Sequence, residues 1–446
     1  MVGARPNFMK IAPLIRAVKA YNDSNGAGIL PFLVHTGQHY DFNMSDAFFR
    51  DLDLPQPDLH LGVGSGNHGE QTGKVLIAFE RVLLEEKPDL LIVVGDVNST
   101  LACALAAVKL HIPVAHVESG LRSFDRKMPE EINRLLTDAI SDYLFTPSPE
   151  GDENLMKEGI PREKIFLVGD IMVDSLLYHL DQAKRTDILA RLGLKPVTSD
   201  IRPGATSDGR QTTAVPSSSN SVLPVLRPVL RSLGEGGSFS EGGCSTLPYA
   251  LVTLHRPANV DNRESFEPII RGLLQVASRM PVIFPIHPRT LKQVKALNLE
   301  SAFEFHDSWD LKAERYYEDG VLKKRIHCFA PLGYLGFLNV MAHASVVLTD
   351  SGGIQEETTV LDVPCITLRD TTERPITLSE GTNVLVHNDP EKMVLEVEKA
   401  LDVNRKRSRC PSIWDGHTAE RIVEILASPP SSPSPLTKPA PPRRMG

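Results

Sequence analysis

Cysteine is scarce: five residues among 446, at Cys103, Cys244, Cys328, Cys365 and Cys410. They are odd in number, scattered, and never paired as CxxC. That pattern argues against a disulfide framework and a thiolate zinc site, and for reduced thiols in the cytoplasm. Cys103 and Cys365 stand in apolar runs, which predicts core positions. The histidines lack metal-ligand spacing such as HExxH, so no metal is expected. No stretch approaches the roughly 20 apolar residues of a transmembrane helix. The opening MVGARPNFMK has no apolar core of a secretory signal. Positive charge is also in deficit. The formal net charge of -8 argues against nucleic acid as a main partner, but not against a local anion site.

What remains is ordinary globular composition, 41% hydrophobic and 23% charged, in a chain long enough for two or three domains. Apolar, β-branched runs alternate with amphipathic stretches. They predict strands at Phe32–His35, Leu90–Val94, Val114–Val117, Tyr143–Thr146 and Ile165–Val168. A second set follows at Ala250–Leu254, Val282–Ile286, Ile326–Phe329, Val346–Thr349 and Cys365–Leu368. Nearly continuous apolar strands alternating with helices imply parallel sheets covered on both faces. Two such sets predict two Rossmann-like domains of class α/β with a cleft between them. Ligands in such sheets sit beyond the carboxyl ends of the strands, which directs attention to the polar residues there.

The expected organisation is an N-terminal domain over 1–172 and a C-terminal domain over 173–414. A helix at 415–427 is expected to pack back on the N-terminal domain. Residues 196–248, with PSSSNS and GEGGSFSEGG, read as a disordered insertion, and 428–446 as a Pro/Ser-rich tail. Only Met1 and Val2 precede Gly3, where a Rossmann-like domain usually opens with a full strand. An upstream start codon is therefore expected.

Chemistry concentrates at the strand ends. In TDSGGIQEE, Thr349–Glu357, paired glycines join a strand to a helix, so the backbone can approach a ligand and the helix N-terminus can favour phosphate. Glu357 can accept from ribose hydroxyls. In GARPNFMK, Arg5 and Lys10 bracket a helix start. In VGDVNST, Asp96 either faces the cleft or caps a helix. In HVESGLRSFDRKMPEEINR, Glu118 follows a strand, and Glu130 and Glu131 open the next helix. One of that last pair is expected merely to complement the helix dipole. TLHRPAN brings His255 and Arg256 to a loop, and FPIHPR brings His287. Phe337 lies either near a nucleobase or in the core. Gly62–Lys74 is not a phosphate-binding Walker loop, because His68 and Val75 stand where Gly and Ser/Thr are required.

Taken in order, GARPNFMK, VVGDVNST, HVESGLRSFDRKMPEEINR, TLHRPAN, HPR and TDSGGIQEETTVLDVPCITLRDTTERPITLSEGTN resemble the non-hydrolysing UDP-N-acetylglucosamine 2-epimerases. The resemblance covers nearly all of the chain outside the insertion and tail. It implies the GT-B-type, glycosyltransferase-like fold, a UDP-sugar substrate, no cofactor, and a homodimer. It also implies residue roles: Asp96, Glu118, Glu130, His255 and Lys10 in catalysis, and Arg5, His287, Phe337, Ser351, Gly352, Gly353 and Glu357 on UDP. Gln38 and His39, in TGQHYD, match an allosteric substrate site of bacterial members. Ala4, Asn7, Ser119 and Pro257 depart from the commoner family residues.

Overall fold

The computed structural model describes residues 1–3, 5–26, 28–37, 54–194, 247–319, 321–402, 405 and 409–428. Gln38, His39, Cys244, the tail beyond Ser428 and nearly all of the predicted insertion lie outside them. The chain divides into two compact units, one formed by Met1–Tyr178 with the chain from Pro411, the other by His179–Cys410. Each is a parallel α/β unit, so the fold is the two-Rossmann class expected.

In the first unit, Leu91–Val94, Val114–Val117, Tyr143–Thr146 and Ile165–Leu167 form a parallel sheet in chain order. Val34–His35 pairs with Leu59–His60, and Val2 bridges His35 in parallel. The Met1 amino group donates to the Ile92 carbonyl at 3.0 Å, placing Met1–Val2 between the two ladders. Strand order therefore reverses beside Val2, and the crevice of such a reversal opens at Gly3 and Gly95. Val93, Val94, Val114 and Ala115 are fully buried, as strands covered on both faces require.

The first unit takes back the chain's far end. The helix Thr418–Ala427 starts where Thr418 and Ala419 amides donate to Asp174, at 3.2 and 2.7 Å. Trp414 Nε1 donates to the Pro147 carbonyl at 2.8 Å.

The second unit holds a seven-stranded parallel sheet. Its spatial order is Asn383–Leu385, Cys365–Thr367, Val346–Thr349, Ala250–Thr253, Val282–Pro285, Ile326–Phe329, Phe303–Phe305. The chain builds outward from Ala250–Thr253 on one side, then returns to its other side with Val346–Thr349. That reversal sets the polar residues after Thr253 beside those after Thr349. Beneath them, Phe266, Leu273, Phe284, Leu348 and Met393 share one apolar core. The edge strands at 303–305 and 383–385 escape sequence prediction because they are short and only partly buried. Among the described residues, no helix is long and apolar enough to cross a membrane.

Candidate active site

The reversal in the second unit is knitted by one buried carboxylate. Asp350 accepts from the backbone N–H of His255 at 3.1 Å and of Arg256 at 2.9 Å, and from Asn259 Nδ2 at 3.3 Å. The His255 ring also lies against it, Nδ1 to Oδ1 at 3.0 Å, with the imidazole about half exposed. A fixed carboxylate thus orients an accessible imidazole next to the glycine turn, the arrangement that sets which ring nitrogen faces outward. Thr253 and Thr349 hydroxyls meet at 2.6 Å across the same two strand ends, and Thr349 Oγ1 accepts from the Ser351 amide at 3.0 Å.

Burial pushes the Asp350 carboxyl up, but the hydrogen bond and charge of His255 and the two backbone donors outweigh it and hold it below its usual 3.8. Its folded value lies below its unfolded one. Its stabilisation is therefore complete above 3.8 and is lost as pH falls through the lower folded value. Melting temperature followed from neutral pH to about pH 3 should fall at the acid end, and Asp350→Asn should flatten that fall while lowering stability at neutral pH.

The turn itself starts a helix, Gly352–Val360, with Ser351 at its N-cap. A β-carbon on Gly352 would lie 2.5 Å from Arg374 Nη1 and 2.8 Å from Glu373 Oε1, so a side chain there would displace these two groups. Arg374 is buried and paired with Glu356 and, at 2.9 Å, with Glu373. Arg369 and Arg256 also reach Glu373, at 2.7 and 3.5 Å. Arg256, Arg369 and Arg374, with Glu356 and Glu373 between them, form a platform of guanidinium groups beneath Gly352. Helix N-terminus and platform together suit a diphosphate. Glu357 is buried on the same helix, with the Tyr334 hydroxyl 3.4 Å away. Phe337, half-buried, lies on the helix Tyr334–Ala342. His287 caps its own helix by accepting from the Arg289 amide, and its ring centroid is 6.3 Å from that of His255.

In the first unit, Gly95 has φ +68, and a β-carbon there would sit 2.9 Å from Lys10 Nζ and 3.9 Å from Glu118 Oε2. Lys10 and Glu118 form a buried ion pair. Glu118 itself has φ 71, a left-handed backbone uncommon for a side chain of that size. Asp96, a third exposed, pairs with the buried Arg134 at 2.5 Å. Arg134 turns its other nitrogen to Glu131 at 2.7 Å. Glu131 is buried and accepts from the Ser123 and Phe124 amides, both at 2.9 Å. Burial would raise its carboxyl, but Ser123 and Arg134 more than offset this and lower it. Of the adjacent glutamates, Glu131 folds the preceding loop, while Glu130 is exposed. Arg5 begins the helix Arg5–Asn25. Asn7 donates to the Val94 carbonyl at 2.7 Å.

Sequence reading passed over Arg134, Arg374 and Asp350 as site-building residues. The only available signal was their place inside the quoted motifs. It also saw no metal spacing, yet the fold gathers Glu304, His306 and His327, with ligand atoms within 4.8 Å of one another. His306 Nε2 and His327 Nδ1 are 3.0 Å apart, and Lys323 Nζ lies 3.6 Å from Glu304. Burial and the neighbouring His306 push His327 down to about 3. These donors suit a small cation, but Lys323 already brings positive charge to the carboxylate.

A family model described as UDP-N-acetylglucosamine 2-epimerase matches residues 24–198 and 235–427. The chain is similar to UDP-N-acetylglucosamine 2-epimerase of Methanocaldococcus jannaschii, 41% identical over 96% of this chain and 97% of that protein. It is also similar, at 34% identity over 96% of this chain and 98% of the relative, to UDP-2,3-diacetamido-2,3-dideoxy-D-glucuronate 2-epimerase of Pseudomonas aeruginosa. A crystal structure of the Methanocaldococcus jannaschii enzyme in complex with UDP-GlcNAc and UDP superposes with TM-score 0.72, covering 96% of this chain and 98% of that one.

Proposed function

Because the chain belongs to the UDP-N-acetylglucosamine 2-epimerase family, we propose that it interconverts UDP-N-acetylglucosamine and UDP-N-acetylmannosamine by expelling and re-adding UDP. The proton on C2 of this sugar has no carbonyl beside it and is not acidic enough for simple removal. Loss of UDP makes removal feasible. A carboxylate takes the C2 proton as the C1–O bond breaks, its electron pair leaves with UDP, and a C1–C2 double bond forms. A proton then adds to the other face of C2 while the diphosphate oxygen re-forms the bond to C1. The sequence needs a base, a proton donor and groups that hold UDP.

The observation that carries this reading is the buried Lys10–Glu118 pair at the end of one strand, next to the Gly95–Asp96 turn of its neighbour. Two carboxylates there, each beside a cation, suit proton transfer to and from one carbon. Asp96, Glu118 and Glu130 handle that proton, with Lys10 fixing Glu118. In the other unit, Ser351, Gly352 and Gly353 hold the diphosphate and Glu357 the ribose. Arg374 supports the glycine turn and His255 serves the leaving oxygen. Arg5, His287 and Phe337 complete the UDP contacts, and Gln38 and His39 belong to an activating site. The enzyme is taken to be a cytoplasmic homodimer, which light scattering checks.

The test is turnover of UDP-N-acetylglucosamine in deuterated water, followed by NMR. Product carrying deuterium at C2 is expected, and product without it would sink the mechanism. The similarity to a diacetamido-glucuronate epimerase supports a second reading in which that sugar is the preferred substrate. Rates on both UDP sugars separate the two.

A further inference from the structure

One buried pair in the first unit touches both turns that carry the carboxylates. His116, fully buried, lies two residues before Glu118 in the strand Val114–Val117. Its Nδ1 meets Asp138 Oδ1 at 2.6 Å, and its Nε2 meets the Gly95 carbonyl at 2.9 Å. A carbonyl only accepts. The carboxylate of Asp138 already receives the Gly120 amide at 3.1 Å and Arg122 at 2.7 Å, so it accepts as well. The imidazole therefore donates from both nitrogens.

Each anchored peptide is held by further hydrogen bonds. Gly95 has φ +68 and also donates its N–H to the Val117 carbonyl at 3.1 Å. Gly120 has φ +77, and its carbonyl accepts from Asn154 Nδ2 at 2.9 Å. Between them, Glu118 is held in its left-handed conformation with its amide on the Phe145 carbonyl at 3.1 Å. Gly95 immediately precedes Asp96, and Gly120 follows Glu118 by two.

We propose that His116 and Asp138 are a positioning pair for epimerisation: the imidazole fixes the Gly95 peptide and the carboxylate fixes the Gly120 peptide, so Asp96 and Glu118 keep one mutual spacing. Neither residue touches substrate. The proposal rests on the assignment of Asp96 and Glu118 as the proton-handling carboxylates. A displacement of about 1 Å in such groups lowers turnover about 100-fold without changing substrate grip.

The two nitrogens can be removed separately. Asparagine at 116 places an amide N–H where Nδ1–H was, keeping Asp138 and releasing Gly95. Glutamine reaches the Nε2 position and keeps Gly95. His116→Asn should lower kcat about 100-fold with KM within about threefold, and His116→Gln should recover at least about tenfold of that loss. The shape of the pH–rate profile should not change in either variant. Equal losses that follow the fall in melting temperature overturn the proposal. So does a loss confined to KM, or the disappearance of one limb of the profile, which would make His116 a proton-transfer group. Should His116→Asn fail to fold, Asp138→Asn keeps the shape and is expected to lower kcat about tenfold at unchanged KM; an unchanged kcat overturns the pair. Deuterium entry at C2 in the unaltered enzyme is scored separately, because its absence sinks the elimination mechanism whatever the ranking of the 116 variants.

Discussion

Glu118→Gln should lower kcat for epimerisation by about 100- to 10,000-fold, the range expected when a positioned acid or base is lost from the reacting carbon. Glutamine has the same shape, so the left-handed backbone at φ 71 and its hydrogen bonds are kept. The carboxylate goes, and with it an ion-pair partner of Lys10, whose side chain is only 10% exposed. Breaking a buried ion pair by removing one partner costs about 3–5 kcal/mol. The variant should therefore also melt lower. Adding Lys10→Met to Glu118→Gln separates the two effects, since it should restore stability without restoring turnover. UDP affinity, measured by calorimetry, should stay near its original value. A Glu118→Gln enzyme that keeps more than about a tenth of its turnover would remove Glu118 from the chemistry.

Gly352→Ala should act on the other quantity. The new methyl would lie within 3 Å of Arg374 and Glu373 and cannot be accommodated without moving a buried guanidinium held by two carboxylates. Shifting Arg374 tilts the helix start that is proposed to hold the diphosphate. Charge-assisted hydrogen bonds are worth about 1.5–3 kcal/mol each, so the Kd for UDP should rise about 10- to 100-fold. KM for the UDP sugar should rise with it. Unchanged UDP binding would move the diphosphate away from Ser351–Gly353.

Much of the fold is legible because its central strands are buried on both faces. Leu348, Val347 and Val346 are fully buried, so nothing but an apolar run satisfies them, and the sequence shows that run. Leu59–His60 and Asn383–Leu385 lie nearer sheet edges, where mixed burial erases the pattern. The candidate site divides in a similar way. Asp96, Glu118 and the glycine turn announce themselves because they follow strands immediately. His116 and Asp138 are 22 residues apart, and Arg374 and Glu356 are 18 apart. Each is an ordinary charged or polar residue until the fold closes the distance. The short motif also hides the division of labour between Glu130 and Glu131. Their adjacency in sequence is identical to either neighbour, and only the loop folding back onto Glu131 separates them.

The return of Pro411 onward to the first unit has a consequence for how the protein is made. The ribosome finishes Met1–Tyr178 long before it supplies the segment that anchors on Pro147 and Asp174. The first unit thus waits, with Asp174 and the Pro147 carbonyl lacking those partners, while the whole of the second unit is synthesised. Domains generally fold as units during synthesis, at about 5–20 residues per second. Here completion runs in reverse: the first unit is completed only after the second, by the segment that follows it.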